Sequence, residues 1–284
     1  MSEYLDLTIT QADAGCVDAV KTIGNASISD FKSLSKELVY ILKQRSHYRQ
    51  FWATFALMMH YYSLHLHGNE DCDYEDYFVR YADQLVSFEN ENTHPFPEYR
   101  YVPYTYLARF HNEYYSSLEK DGEFSAVDNF LIMECHKKAA ELGSGQSANS
   151  LGVIYDKRQI RTQQNSEISY QYFLKSRELG YKMASANLCV MHKYGRGCEK
   201  NYNLACIYGR EFLDNINSKI SNNMYAKTAN RVVEMLLSGG YKLEKDVRAA
   251  AKIMSEHHLK LEGIWNHNFT LSLGELCTMI KSVK

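Results

Sequence analysis

Proline is scarce in this chain of 284 residues, and its three copies, Pro95, Pro97 and Pro103, all fall in one short stretch. Proline lacks a backbone donor, so the segment from His94 to Pro103 is excluded from a helix interior and is expected to be an extended connection. Nothing of that kind interrupts helices on either side. Long hydrophobic runs are also missing. The most apolar stretch, Phe51 to Tyr62, is broken by Thr54 and His60 and is too short to span a bilayer. The start, Met1-Ser2-Glu3-Tyr4-Leu5-Asp6, is acidic and has no apolar core of the secretory kind. The seven cysteines (Cys16, Cys72, Cys135, Cys189, Cys198, Cys206 and Cys277) are odd in number and contain no Cys-x-x-Cys. Reduced thiols in a cytoplasm are therefore expected. A formal charge of −2 lacks the broad positive footprint of a duplex-binding protein, so no nucleic acid is expected as a partner, and with no bilayer-spanning run no membrane is expected either.

Chemical motifs are equally thin. Gly195-Arg196-Gly197 lacks the Gly-Lys-Ser/Thr ending of a phosphate loop and any strand before it, so it reads as a turn. Gly-x-Ser-x-Gly is absent, and the carboxylates are scattered. His60, His65 and His67 lie close together, but two ligands on one helix face need a spacing of three or four, and here it is five and two. Asp71, Asp73 and Glu75 follow, which leaves a metal-dependent enzyme using the His60 to Asp73 region as an alternative. The expectation is no catalytic residue, no metal and no cofactor.

What the chain does have is a phrase spoken twice. Ala139-Ala140-Glu141-Leu142-Gly143 and Ser176-Arg177-Glu178-Leu179-Gly180 place their glycines 37 residues apart, a period characteristic of repeat architectures. Between and after them come Leu151-Gly152-Val153-Ile154-Tyr155, and then Ala184, Leu188, Met191 and His192 at helical spacing. Gly195 and Gly197 stop that helix, Asn201 is placed to cap the next, and Ala205 and Tyr208 begin its buried face. One unit is thus helix, glycine turn, helix. Such a hairpin cannot cover its own apolar face and must stack on neighbours, which gives an all-α, α-α solenoid. No segment keeps a strand period. The 23 tyrosines are expected to pack their rings between helices with the hydroxyls wet; a rigid aromatic binding surface is the alternative.

These residues resemble the SEL-one-like repeat, a relative of the tetratricopeptide repeat. Leu151, Gly152 and Tyr155 match its first helix. Ala139, Ala140, Glu141 and Gly143 match the end of its second. Gly195, Gly197, Ala205 and Tyr208 match its turn and second helix. Asn201 stands where that family has Asp, and Cys189 and His192 where it has Gly and Tyr. The likeness covers about residues 104–260. The family includes secreted members with paired cysteines, and only Cys198 and Cys206 hint at a pair.

The expected layout is one continuous solenoid: divergent hairpins over 1–98, SEL-one-like repeats over 99–263, and a capping helix over 264–284. Within it, Ser29-Asp30 is expected to cap a helix from Phe31 to about Arg45. A second helix over 48–67 should carry Phe51, Phe55, Met58, Met59 and Tyr62 mainly on one side, and Asp246 should cap a late helix. The resemblance implies a non-enzymatic adaptor that binds another protein. One version is an immunity protein of a bacterial cytoplasm holding a cognate toxin; another is a secreted effector or a regulator of a signalling partner. If the first helix of each hairpin lines the concave side, the contact residues are Tyr106, Arg109, Ser150, Lys157, Asn187, Tyr194 and Arg231. The oligomeric state stays open.

Overall fold

A computed structural model describes residues 2–24, 26, 28–32, 34–67, 74–90, 95–118, 126–157, 163–215 and 222–258. The expected capping helix at 264–284, and Asp71 and Asp73, lie outside these residues. Among the described residues every regular element is helical, apart from one isolated bridge between Gly240 and Leu243. The chain divides into two compact units, Met1–Ser144 and Gly145–Lys284.

The first unit holds α1 (Ser2–Asp13), α2 (Val17–Gly24), a 3-10 turn (Ile28–Phe31), α3 (Lys36–His47), α4 (Phe51–Leu66), α5 (Tyr74–Asn90), a second 3-10 turn (Pro97–Tyr99), α6 (Val102–Leu118) and α7 (Ala126–Glu141). Its core is built around α4, which packs on α1, α3 and α5. Every residue from Phe51 to Ser63 is buried. The expected one-sided stripe is therefore only part of the picture: an apolar helix covered from several directions buries Thr54, His60 and Ser63 as well. The cap of α4 comes from far away. Gln50 makes no side-chain cap, and the Asp13 carboxylate accepts from the amides of Trp52 at 2.7 Å and Ala53 at 3.3 Å.

Two local expectations change here. Helix α3 begins at Lys36, with the Ser35 hydroxyl accepting from Leu38 N, rather than after Ser29-Asp30. Phe31 instead closes a short turn and goes fully into the core, where its ring meets Phe55 edge-on at 5.9 Å. The proline segment is not extended throughout. It turns at Pro97–Tyr99 and sets Phe96 and Tyr99 against the Trp52 ring at 5.2 and 4.8 Å. Pro103 then sits in the first turn of α6, where no amide donor is required.

Among the described residues the second unit forms three hairpins: α8 (Gly145–Lys157) with α9 (Gln163–Glu178), α10 (Met183–Tyr194) with α11 (Tyr202–Asp214), and α12 (Asn222–Ser238) with α13 (Val247–His258). Neighbouring hairpins stack through α9 on α10 and α11 on α12. Leu188, Met191 and Phe173 fill one contact, and Ala205, Phe212, Ala229, Val232 and Leu236 another. The Asn201 side chain accepts from Leu204 N at 3.0 Å, and Asp246 accepts from Ala249 N at 2.8 Å, so both expected caps are in place.

The 37-residue period has a backbone cause. Gly143 and Gly180 have φ of +104° and +80°, and each lets the next amide reach back, Ser144 N to Ala139 O and Tyr181 N to Ser176 O. Gly152 answers a different need. A Cβ there would stand 2.6 Å from the Phe173 ring, so only glycine lets α8 and α9 approach this closely. Ser169 and Ser176 exploit the approach by donating to the carbonyls of Gly152 and Gly145, both at 2.7 Å.

Candidate functional site

The first helices of the second unit present a polar face. Asn187 on α10 donates from Nδ2 to Asn149 Oδ1 on α8 at 2.8 Å. Beyond it, Ala186, Asn187 and Val190 of α10 face Asn223, Met224, Lys227 and Arg231 of α12 across a recess of about 280 Å³. The spacing explains the lining. Asn223, Lys227 and Arg231 recur every fourth residue on one side of α12, while Ala226, Ala229 and Val233 turn into the core. A separate ion pair, Lys193 Nζ to Glu234 Oε2 at 2.5 Å, also joins α10 to α12.

The recess is electrically one-sided. Among the described residues Lys227 and Arg231 are its charged lining residues, and no carboxylate lines it. Neither forms an ion pair among the described residues, whereas Lys193, Arg196 and Arg177 nearby are matched to Glu234, Asp156 and Glu211. Such a surface suits hydrogen-bond acceptors and negative charge on a partner.

Of the expected contact residues, Asn187 and Arg231 both line this recess. Tyr194 lies two turns along α10 from Asn187, 53% exposed, with Lys193 and Arg196 over its ring at 5.5 and 5.4 Å. Ser150 is half-buried on α8 beside Asn149, and Lys157 is the last residue of that helix. Tyr106 and Arg109 belong to the first unit. There Tyr106 packs edge-on against the buried Tyr62 at 5.5 Å, and the Arg109 guanidinium lies over both rings. Burial raises the Tyr106 phenol above its ordinary value.

The histidines flagged in the sequence each serve a separate neighbour. His60 Nδ1 meets Phe31 O at 2.7 Å, His67 Nδ1 meets Ser63 O at 2.6 Å, and His65 Nδ1 lies 3.4 Å from Glu75. Among the described residues no group of three His, Cys, Asp or Glu side chains could hold a metal ion. Cys198 and Cys206 are free thiols, both pushed up to about 11 by burial. Among the described residues no helix is long and apolar enough to cross a membrane.

No family model and no curated protein matches the chain. Among solved structures it is similar to c5321, a protective antigen present in uropathogenic Escherichia coli strains displaying an SLR fold. The identity is 18% and the TM-score 0.53, over 86% of this chain and 47% of that one. The chain has the SEL-one-like repeat (SLR) fold. It spans about half the length of the Escherichia coli protein. A Sel1 repeat protein from Oxalobacter formigenes is similar at 15% identity and a TM-score of 0.46, over 66% of this chain and 68% of that one.

Against the SLR fold, sequence reasoning missed Asn149, Asn223, Lys227 and the Lys193–Glu234 pair. The available signal was the row Asn223, Lys227, Arg231, polar at every fourth position of a helix whose other side is Ala and Val.

Proposed function

We propose that this protein is a non-enzymatic interaction module that holds another protein against the first helices of its repeats. The observation that carries the reading is the recess between α10 and α12, where Asn187, Asn223, Lys227 and Arg231 converge and, among the described residues, no carboxylate lines the site. Side-chain amides satisfy a partner's backbone, and unpaired cations favour its acidic groups. An SLR fold suits the task, since stacked hairpins offer an extended surface rather than a closed pocket. In the version favoured here the protein works in a bacterial cytoplasm as an immunity protein and neutralises a cognate toxin.

A second reading is a secreted effector or a regulator of a signalling protein. It draws on c5321, a protein of the same fold that is a protective antigen. The two separate by compartment and by partner. Affinity capture from the native host, with the wild type and a Lys227→Glu/Arg231→Glu variant, tests the reading. A defined protein should co-elute with the wild type and be lost from the variant. Equal recovery on both would overturn the assignment of the recess. Culture fractionation then distinguishes immunity protein from effector.

A further inference from the structure

A second polar cleft lies in the first unit, between α3 and α5. It has a volume of about 550 Å³ and is lined by Lys43, Ser46 and His47 of α3 and Tyr77, Arg80, Tyr81 and Gln84 of α5. Its floor is fixed. Ser46 Oγ donates to Gln84 Oε1 at 3.0 Å, Gln84 Nε2 donates to Ser46 O at 2.7 Å, and Thr54 Oγ1 of α4 donates to Ser46 Oγ at 3.1 Å. One wall is aromatic: Tyr77 and Tyr81 both stack on Tyr61, at 4.8 and 5.8 Å. Lys43 Nζ lies 4.9 Å from the centre of the Tyr77 ring. A hydrogen bond to the Tyr61 phenol raises the Lys43 pKa and keeps the ammonium charged.

The charge of the cleft is unanswered. Among the described residues no carboxylate lines it, and Lys43, His47 and Arg80 form no ion pair. The contrast lies on the same helix, where Arg45 is matched to Asp6 at 2.9 Å. Lys43 and His47 stand four residues apart, about 6 Å along the axis of α3. Side chains on one face of an extended peptide recur every second residue, about 6.6 Å apart. A phosphate group would need its donors gathered at one point, whereas Lys43 and His47 are spread over a turn of α3 and Arg80 stands on α5. The spacing favours a row of carboxylates.

We infer that the α3–α5 cleft receives an extended acidic peptide segment of a protein partner, with alternate Glu or Asp side chains directed at Lys43, His47 and Arg80 and its backbone lying along Tyr77 and Tyr81. The site is separate from the α10–α12 recess and does not rest on that assignment. It would let one chain engage acidic segments at two independent places.

The full-length protein should be titrated with a fluorescein-labelled (Glu-Ala) repeat peptide and with a (Lys-Ala) control, followed by anisotropy. The acidic peptide should bind and the basic one should not, with affinity falling as salt rises. An Arg80→Glu/His47→Glu variant should lose about tenfold or more, and Arg80→Lys should keep most of the affinity. Both residues are exposed, and unchanged far-UV circular dichroism would show that the variant folds. Arg231→Glu, in the other unit, should leave this affinity unchanged. Equal binding by the Arg80→Glu/His47→Glu variant, absence of binding by the wild type, or complete displacement by inorganic phosphate at matched ionic strength would each overturn the inference.

Discussion

Asn187 and Asn149 stand 38 residues apart and join side chain to side chain at 2.8 Å. The bond ties the first helix of one hairpin to the first helix of the hairpin before it. It also fixes one amide at the edge of the α10–α12 recess. Removing it in Asn187→Ala is expected to cost about 1 kcal/mol of stability and to weaken partner capture. Urea unfolding together with pull-down checks both. A variant with unchanged midpoint and unchanged capture would show that the bond contributes to neither.

Gly152 sets the distance between α8 and α9. A methyl group there meets the Phe173 ring at 2.6 Å, so Gly152→Ala should destabilise the second unit by about 1–3 kcal/mol. Phe173→Leu in the same chain should recover part of that loss, although alone it is destabilising. Simple additivity in the double-mutant cycle would contradict the proposed contact.

Asp13 and His136 share the first unit and should shift its stability in opposite senses. Burial lifts the Asp13 carboxyl to about 6, against the pull of the Trp52 and Ala53 amides and of Arg45. The folded chain then holds a proton that the unfolded chain releases between about pH 4 and 6. The contribution is present in full below the unfolded value and is lost as pH rises through 6. Burial drops His136 to about 4. Here the unfolded chain takes up a proton that the folded chain refuses, so stability is full above about 6.5 and falls as pH drops toward 4. Asp13→Asn should therefore steepen the loss of stability on acidification, and His136→Leu should flatten it. Urea midpoints between about pH 4 and 7 test this; parallel profiles for all three proteins would contradict it.

Lys227→Glu/Arg231→Glu should weaken the captured partner by about tenfold or more, with little change in thermal stability, because neither side chain forms an ion pair among the described residues. Loss of binding accompanied by unfolding would mean that these cations support the fold instead.

Local features were legible in the sequence. Gly143 and Gly180 announced the period because a left-handed turn leaves few alternatives to glycine, and Asn201 and Asp246 announced helix starts because their caps reach only three residues. Features that depend on distant chain were not. Ser29-Asp30 looked like a cap, but Phe31 gains more by entering the core, and the helix waits until Ser35. The α4 stripe looked one-sided because Asp13 and α1 supply its other cover from about 40 residues away. The α10–α12 recess was half visible, since Asn187 and Arg231 could be placed on first helices, whereas Asn223 and Lys227 take their meaning from how α12 lies beside α10.

Hydrogen exchange of the full chain, alone and with its captured partner, tests the central claim most directly. Peptides covering α10 (Met183–Tyr194) and α12 (Asn222–Ser238) should slow on binding, most of all around Asn187 and Arg231. Protection confined to α9, α11 and α13, with α10 and α12 unchanged, would contradict it.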